Sequence, residues 1–341
     1  DVSRGSLATR VNKNGLIEYV GYTVGGNIIT PVANRDFSSD TGYWILETNI
    51  SIGGGSLNFA STPDNASFYK GGIIEIGKVY KAEITISGYS SGFIDSNNGN
   101  DFSFPASNGT HTVYFTGGNT SLVFSANGTT TLSVDNVSVI EFAGEDVPRI
   151  DYTDGGCPVL LTEPQSTNEI SYSEDFSNAA WQKLSSGTAL SPIVNVNQAI
   201  SPSGNSDADK VSFNRGSGTS GSDLSRLYTS PSGVSNPSTA SVYLKSFDGV
   251  SNYEMAFKNG NTEKIISVSG DWQRFDVSEL VSGTNFSLGL RGNVGSEQSA
   301  DILVWGAQLE ELPYATSYIP TSGGTATRLG EAVTGAGDAS T

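Results

Sequence analysis

The sequence predicts an all-β protein built from two related sandwiches, and three observations carry that expectation. β-branched and aromatic residues alternate with polar ones in short runs, and Gly, Asn, Ser and Asp separate the runs. Helical periodicity is nearly absent. The second half repeats the plan of the first, with residues 78–86 laid on 239–245 and residues 131–141 laid on 299–310.

In the first half, strands are expected at 43–47, 56–59, 79–87, 110–116, 121–125 and 131–141. Within 79–87, Tyr80, Ala82, Ile84 and Ile86 share one face and Lys81, Glu83, Thr85 and Ser87 the other. One face is therefore core and the other wet. Within 131–141, the apolar Leu132, Val134, Val137 and Val139 break strict alternation at Asp135-Asn136. An extra residue there, a bulge, restores the facing. In the second half, strands are expected at 208–213, 240–246, 253–257, 264–268, 272–277, Phe286–Arg291 and 301–310. One short helix is expected at 174–184, capped by Ser173.

Proline, glycine and changes of pattern place boundaries near 30, 144, 168 and 321. They divide the chain into an N-terminal β arm (1–30), a first sandwich (31–143), a connector (144–168), a second sandwich (169–320) and a C-terminal extension (321–341). The connector carries Val147-Pro148-Arg149-Ile150-Asp151-Tyr152 and Gly155-Gly156-Cys157-Pro158. A short echo links Gly5-Ser6-Leu7-Ala8-Thr9-Arg10 to Gly324-Thr325-Ala326-Thr327-Arg328. The opening Asp1-Val2-Ser3-Arg4-Gly5 is neither a signal peptide nor an initiator start, so a processed chain or a fragment is expected.

Composition narrows the chemistry. The 341 residues hold 18 Lys+Arg against 35 Asp+Glu, a formal charge of −17, with no cluster of basic residues. That balance disfavours nucleic acid and anionic membrane surfaces. No apolar run approaches the roughly 18 residues that span a bilayer. With Cys157 and His111 as the one Cys and the one His, an intrachain disulfide and a zinc site of three or four Cys/His ligands are both excluded. Aromatics at 10% and charge at only 16% argue against disorder.

Three stretches resemble segments common in bacteriophage tail- and head-fibre proteins. They are Pro148-Arg149-Ile150-Asp151-Tyr152 with Leu160-Leu161-Thr162-Glu163-Pro164, then Tyr172-Ser173-Glu174-Asp175-Phe176 with Trp181, then Trp305-Gly306-Ala307-Gln308-Leu309-Glu310 with Thr316-Ser317-Tyr318-Ile319-Pro320-Thr321 and Ala326-Thr327-Arg328. The opening Ser3-Arg4-Gly5-Ser6-Leu7-Ala8-Thr9-Arg10 resembles the segment that normally precedes the first of these, which makes residues 34–141 an inserted sandwich. Through Gly77-Lys78-Val79-Tyr80 and Val134-Asp135-Asn136-Val137, the insert looks generically like a jelly-roll carbohydrate-binding module. The resemblance implies tandem jelly rolls with short connecting β segments, in a virion fibre or decoration protein exposed on the particle surface. Its partners would be other virion proteins and host-surface or environmental glycans, in a homotrimer, with no catalytic motif carried over. Two alternatives stand beside it: a purely structural capsid or tail accessory protein, and binding modules of a secreted polysaccharide-degrading enzyme.

Candidate site residues follow from sugar chemistry, because pyranose faces stack on flat rings ringed by polar groups. Tyr89 sits in Gly88-Tyr89-Ser90-Ser91-Gly92, and Tyr228 and Tyr253 flank turns. Trp44 follows Tyr43 in a turn-rich region and is a candidate beside its reading as core, whereas Trp181, Trp272 and Trp305 read as framework. The oxygen-rich Asp95-Ser96-Asn97-Asn98-Gly99-Asn100-Asp101 lacks an EF-hand's closing Glu and reads as a solvated hairpin loop. The resemblance to jelly-roll sugar-binding modules implies a structural calcium at an Asp of the last strand, carried here to Asp135 and Asp301. No motif selects a pair of glycosidase carboxylates, His111 reads as a half-buried strand residue, and Cys157 lacks a basic partner.

Overall fold

The computed structural model describes residues 2–96, 98–153, 157–281 and 284–333. Gly155 and Gly156 of the connector, Asn97 of the oxygen-rich loop and the closing residues 335–341 lie outside the described residues. Among the described residues there is no α-helix, and the chain is β-strand throughout apart from one 3-10 turn at Val32–Asn34 and its loops. The all-β expectation holds.

The chain forms two compact units. One is continuous, Gly21–Gly144. The other is discontinuous and joins Asp1–Val20 to Glu145–Thr341.

In the continuous unit, two long antiparallel strands, Val79–Ser96 and Leu122–Ala143, replace the shorter runs at 79–87, 121–125 and 131–141. They pass through positions that alternation treats as breaks. Gly88, Gly92 and Gly128 have φ of 59°, 71° and 68°, and the register shifts between Asn127 and Thr131. Each long strand is thus bent into two arms with different neighbours. One arm of Leu122–Ala143 pairs with Ser56–Thr62 and the other with Ser67–Lys70. Both arms feed one core, which takes Ile84, Ile86, Leu132 and Val134 from one side and Ile94 and Phe124 from the other. The bulge expected at Asp135-Asn136 is present: register shifts between Asp135 and Ser138, and Asn136 has φ of 53°. Leu132, Val134, Val137 and Val139 are all buried.

The discontinuous unit contains a sandwich of two five-stranded antiparallel sheets. One runs Gln182–Ser186, Leu224–Thr229, Phe286–Arg291, Tyr253–Asn259, Thr262–Val268 in spatial order. The other runs Leu190–Ala199, Ala208–Asn214, Ser299–Glu310, Ser238–Ser246, Gln273–Glu279. The core between them is aliphatic and aromatic, with Val211, Phe213, Leu227, Val242, Met255, Phe257, Leu288 and Val304 buried.

The helix expected at 174–184 does not form. Ser173 is buried and bonded to Tyr318 and Thr321, so it is not free to cap. The Asp175 carboxylate instead accepts the Ser177 and Asn178 amides at 3.0 and 3.1 Å, which closes a turn. Trp181 then packs 4.9 Å from Phe176 and 5.1 Å from Phe286, and Gln182–Ser186 enters the sheet.

Parts of the segments expected as arm, connector and extension pair with one another in a clasp around a buried ion network. Val2–Ser3 pairs with Ala332–Val333, Arg149–Asp151 with Val159–Leu161, and Ser166–Asn168 with Ala326–Arg328. The C-terminal stretch is therefore partly a sheet component rather than a free extension. Arg4 Nη1 lies 2.9 Å from Glu331, and Arg149 bonds both Glu331 and Glu163. Arg328 lies 2.9 Å from Glu163. Arg4, Arg149 and Arg328 are all buried. Charges so placed are tolerated only when fully paired. Several residues that carry the fibre-type resemblance, among them Arg4, Arg149, Glu163, Ser317 and Arg328, are members of this clasp.

Candidate functional site

At one end of the second sandwich, the strand Ser238–Ser246 of one sheet crosses to Tyr253–Asn259 of the other through residues 247–252. The Phe247 amide donates to the Asp301 carbonyl at 3.0 Å, which extends the pairing one residue past the strand. The chain then turns at Asp248-Gly249, with Gly249 at φ 72°. The Asp248 carboxylate accepts the Val250 and Ser251 amides at 3.0 and 2.9 Å and also the Ser251 hydroxyl, so the loop is wrapped around its own acid. The Ser251 hydroxyl, followed by the two amides, holds the Asp248 carboxyl well below the usual carboxylate range. Gly270 backs the turn so closely that a Cβ there would fall 2.1 Å from the Gly249 carbonyl oxygen.

This loop opens a cavity of about 250 Å³ lined by Phe247, Asp248, Tyr253, Ser299, Ala300 and Asp301. Phe247 is 42% exposed, although Ser246 before it is buried. The Lys210 ammonium stands 4.8 Å from the centre of the Phe247 ring and 3.4 Å from Asp301 Oδ2. The Ser212 hydroxyl donates to Asp301 Oδ1 at 2.5 Å. The site thus offers an exposed ring, two carboxylates and one ammonium on a rigid strand end. That set can stack on an apolar face and exchange hydrogen bonds with hydroxyls.

The structure brings together two residues assigned to different roles by sequence, Tyr253 and Asp301. Trp44 is corrected: it is 5% exposed, packs 5.0 Å from Phe68 and 6.0 Å from Phe124, and donates its indole N–H to the Asn34 carbonyl. It offers no face to a ligand. Tyr89 is half-buried against the core of the other unit. Tyr228 lies on the face of its strand opposite the buried Leu227, with the Arg226 guanidinium 4.9 Å above its ring. It does not join the cavity.

The equivalence of Asp135 and Asp301 is also corrected. Both last strands carry a bulge with a left-handed residue against the matching neighbour, at Asn136 in the first sandwich and at Gly306, φ 64°, in the second. Aligned on the bulge, the counterpart of Asp135 is Trp305. The Asp135 carboxylate is turned onto the Asn136 amide at 2.6 Å, and Asp301 is engaged by Ser212 and Lys210. Among the described residues, no group of three His, Cys, Asp or Glu is arranged to hold a metal ion. In the oxygen-rich loop, Asn100 is buried, donates to Ser121 and accepts the Gly118 and Asn119 amides at 2.8 and 2.9 Å, so its oxygen serves the backbone.

Phe247, Asp248, Lys210 and Ser212 were not singled out by sequence. A signal for the first two exists: Phe247-Asp248-Gly249 puts an aromatic beside a turn pair between two alternating runs. Lys210 and Ser212 carry no such mark, because their relevance depends on the pairing of Ala208–Asn214 with Ser299–Glu310. His111 is buried in the other unit, 2.8 Å from the Ser107 carbonyl, and burial lowers its pKa.

No family model and no curated protein matches the chain. Among solved structures, the chain is similar to the N-terminal tandem CBM22 domains of Xyn10C from Paenibacillus barcinonensis, at 11% identity and a TM-score of 0.28, covering 86% of this chain and 98% of that one. It is also similar to the tandem CBM51 modules of Sp3GH98, a family 98 glycoside hydrolase from Streptococcus pneumoniae, at 9% identity and a TM-score of 0.23, covering 90% and 96%. Scores this low carry no argument about ligand or activity, and the architecture rests on the strand order above.

Proposed function

We propose that this chain is a binding and display protein whose second sandwich takes a glycan at the Phe247 cavity. The observation that carries the reading is the ring of Phe247, 42% exposed beside Asp248, Asp301 and Lys210. An exposed ring flanked by fixed polar groups matches a sugar, which has an apolar C–H face and a rim of hydroxyls. A cavity of about 250 Å³ lies below the roughly 300–1,000 Å³ of drug-sized sites, which suits one terminal unit rather than a long chain. Affinity per site is then weak, and display in many copies multiplies it by on the order of 10²–10⁴. The sequence resemblance to phage fibre proteins supports presentation on a virion surface, with other virion proteins as neighbours and three copies per assembly.

The test is a glycan array probed with the whole chain and with Phe247→Ala. Binding by the parent that Phe247→Ala abolishes, with melting unchanged, supports the reading. Equal binding by the variant removes this site. An array silent for the parent, with firm attachment to a particle, favours the structural alternative, and one observation already leans that way: the clasp absorbs much of the fibre-type motif, and none of its ion-paired residues lines the cavity.

A further inference from the structure

We propose that the Phe247 cavity selects uncharged sugars and rejects acidic ones such as sialates and uronates. This rests on the glycan reading above and adds the ligand class. Three charged groups face the site: the carboxylates of Asp248 and Asp301 and the ammonium of Lys210. Lys210 is already shared between Asp301 and the Phe247 ring, at 3.4 and 4.8 Å. The hydrogen bonds Asp248 accepts come from the Val250 amide, the Ser251 amide and the Ser251 hydroxyl, all of them neutral donors. Its charge is solvated but not cancelled. The local sum is one negative charge, on a chain whose formal charge is −17.

The hydrogen-bonding inventory points the same way. Carboxylate oxygens accept and cannot donate, and each has capacity beyond the bonds it makes here. The lining is therefore rich in acceptors, and Lys210 stands beside it against Phe247 and Asp301. Sugar hydroxyls supply donors and fit such a lining. A sugar carboxylate is an acceptor with a charge, and recognition of that group calls for a fork of donors such as arginine provides. The lining residues include no arginine.

The experiment uses the full chain on an array of neutral hexose and N-acetylhexosamine termini, each matched with its sialylated or uronate-bearing counterpart, at low and at high salt. The acidic member of each pair is expected to bind at least about tenfold more weakly at low salt, because like charges a few ångströms apart repel. The gap should narrow as salt screens it. Asp248→Asn keeps an oxygen acceptor for the loop amides but removes the charge, and should shrink the ratio of neutral to acidic affinity. Acidic glycans that bind as well as neutral ones, and are lost in Phe247→Ala, overturn the selectivity and leave the glycan reading standing. A gap that responds neither to salt nor to Asp248→Asn overturns it as well. Failure of every glycan, neutral and acidic, overturns the glycan reading itself.

Discussion

Inside the unit Gly21–Gly144, Phe68 and Phe124 stack with ring centres 4.6 Å apart, and Trp44, Phe37 and Phe59 close edge-on around them. Inside the discontinuous unit, rings are joined by charges: the buried Arg4, Arg149 and Arg328 meet Glu331 and the partly exposed Glu163. A second polar group adds the partly buried Glu174 and Asp207 and the buried Asp209, with Tyr318 donating to Glu174 at 2.7 Å. The two units therefore hold themselves together by interactions of different kinds. Ring packing is insensitive to pH and depends on shape. A buried ion network depends on every partner and on protonation. The network also joins strands that are distant in sequence, which is how residues 2–20 and 326–333 come to belong to one unit.

The sharpest way to break this comparison is Arg149→Ala. It removes the cation shared by Glu163 and Glu331 and leaves them Arg328 and Arg4 alone, a change in a buried ion network that costs up to roughly 3–5 kcal/mol. For a domain of this size that is a fall in melting temperature on the order of 10 °C. Calorimetry should show the loss in the discontinuous unit's transition and leave the other in place. A loss below about 1 kcal/mol would mean that the clasp is not held by charge.

Trp44→Ala is the matching change in the other unit. Truncating a buried large aromatic costs roughly 3–5 kcal/mol, and the loss should fall on the transition of Gly21–Gly144. Glycan binding by the folded variant should be unaltered, because the indole is in the core. Loss of binding with unchanged melting would return Trp44 to the list of sugar platforms.

These two residues also show how far the sequence could be read. Alternation found many of the strands, though not Ile50–Gly53, Ser67–Lys70, Leu190–Ala199 or Leu224–Thr229, and the broken period at Leu132, Val134, Val137 and Val139 found the bulge, because both are local consequences of burying one face. Trp44 was ambiguous for the same reason: its neighbours in sequence are turn residues, and the rings that cover it, Phe68 and Phe124, come from strands far along the chain. Arg4, Arg149 and Arg328 meet their carboxylate partners only when three separate segments are brought together. The helix at 174–184 was lost to Asp175, whose side chain caps a turn that helical spacing does not reveal. Of the cavity's six lining residues, two were visible, Tyr253 and Asp301. Lys210 and Ser212 needed the pairing that sets them beside Asp301.

A smaller effect sharpens the contrast through pH. Burial raises the carboxyl groups of Glu174 to about 8, Asp209 to about 7 and Asp207 to about 6. In the unfolded chain these groups titrate near 4. The folded state then holds protons that the unfolded state releases, so stability is greatest below about pH 4 from these groups and falls as pH rises through 6 to 8. Glu331 acts in the opposite sense: its arginine partners lower it, and its contribution is lost as pH falls below its unfolded value. The discontinuous unit should therefore melt highest in weak acid and lose a few degrees by pH 8. Asp209→Asn should flatten that slope. In Gly21–Gly144, burial raises Asp95 and lowers His111, which act against one another, so its transition should move less. Equal slopes in both units would remove the distinction.

The smallest change addresses the one feature the two sandwiches share. Beyond Gly128, each last strand passes through the left-handed region once, at Asn136 in one and Gly306 in the other. Asparagine tolerates that conformation and glycine adopts it freely. Asn136→Gly should therefore move the first transition by less than about 1 kcal/mol. Gly306→Ala meets two obstacles, a φ of 64° and a new Cβ only 3.2 Å from the Tyr243 ring and 3.3 Å from Tyr318. It should lower the second transition by roughly 1–2 kcal/mol. If Gly306→Ala were silent, the bulge in the second sandwich would not need its left-handed residue. The alignment that pairs Asp135 with Trp305 would then lose its physical basis.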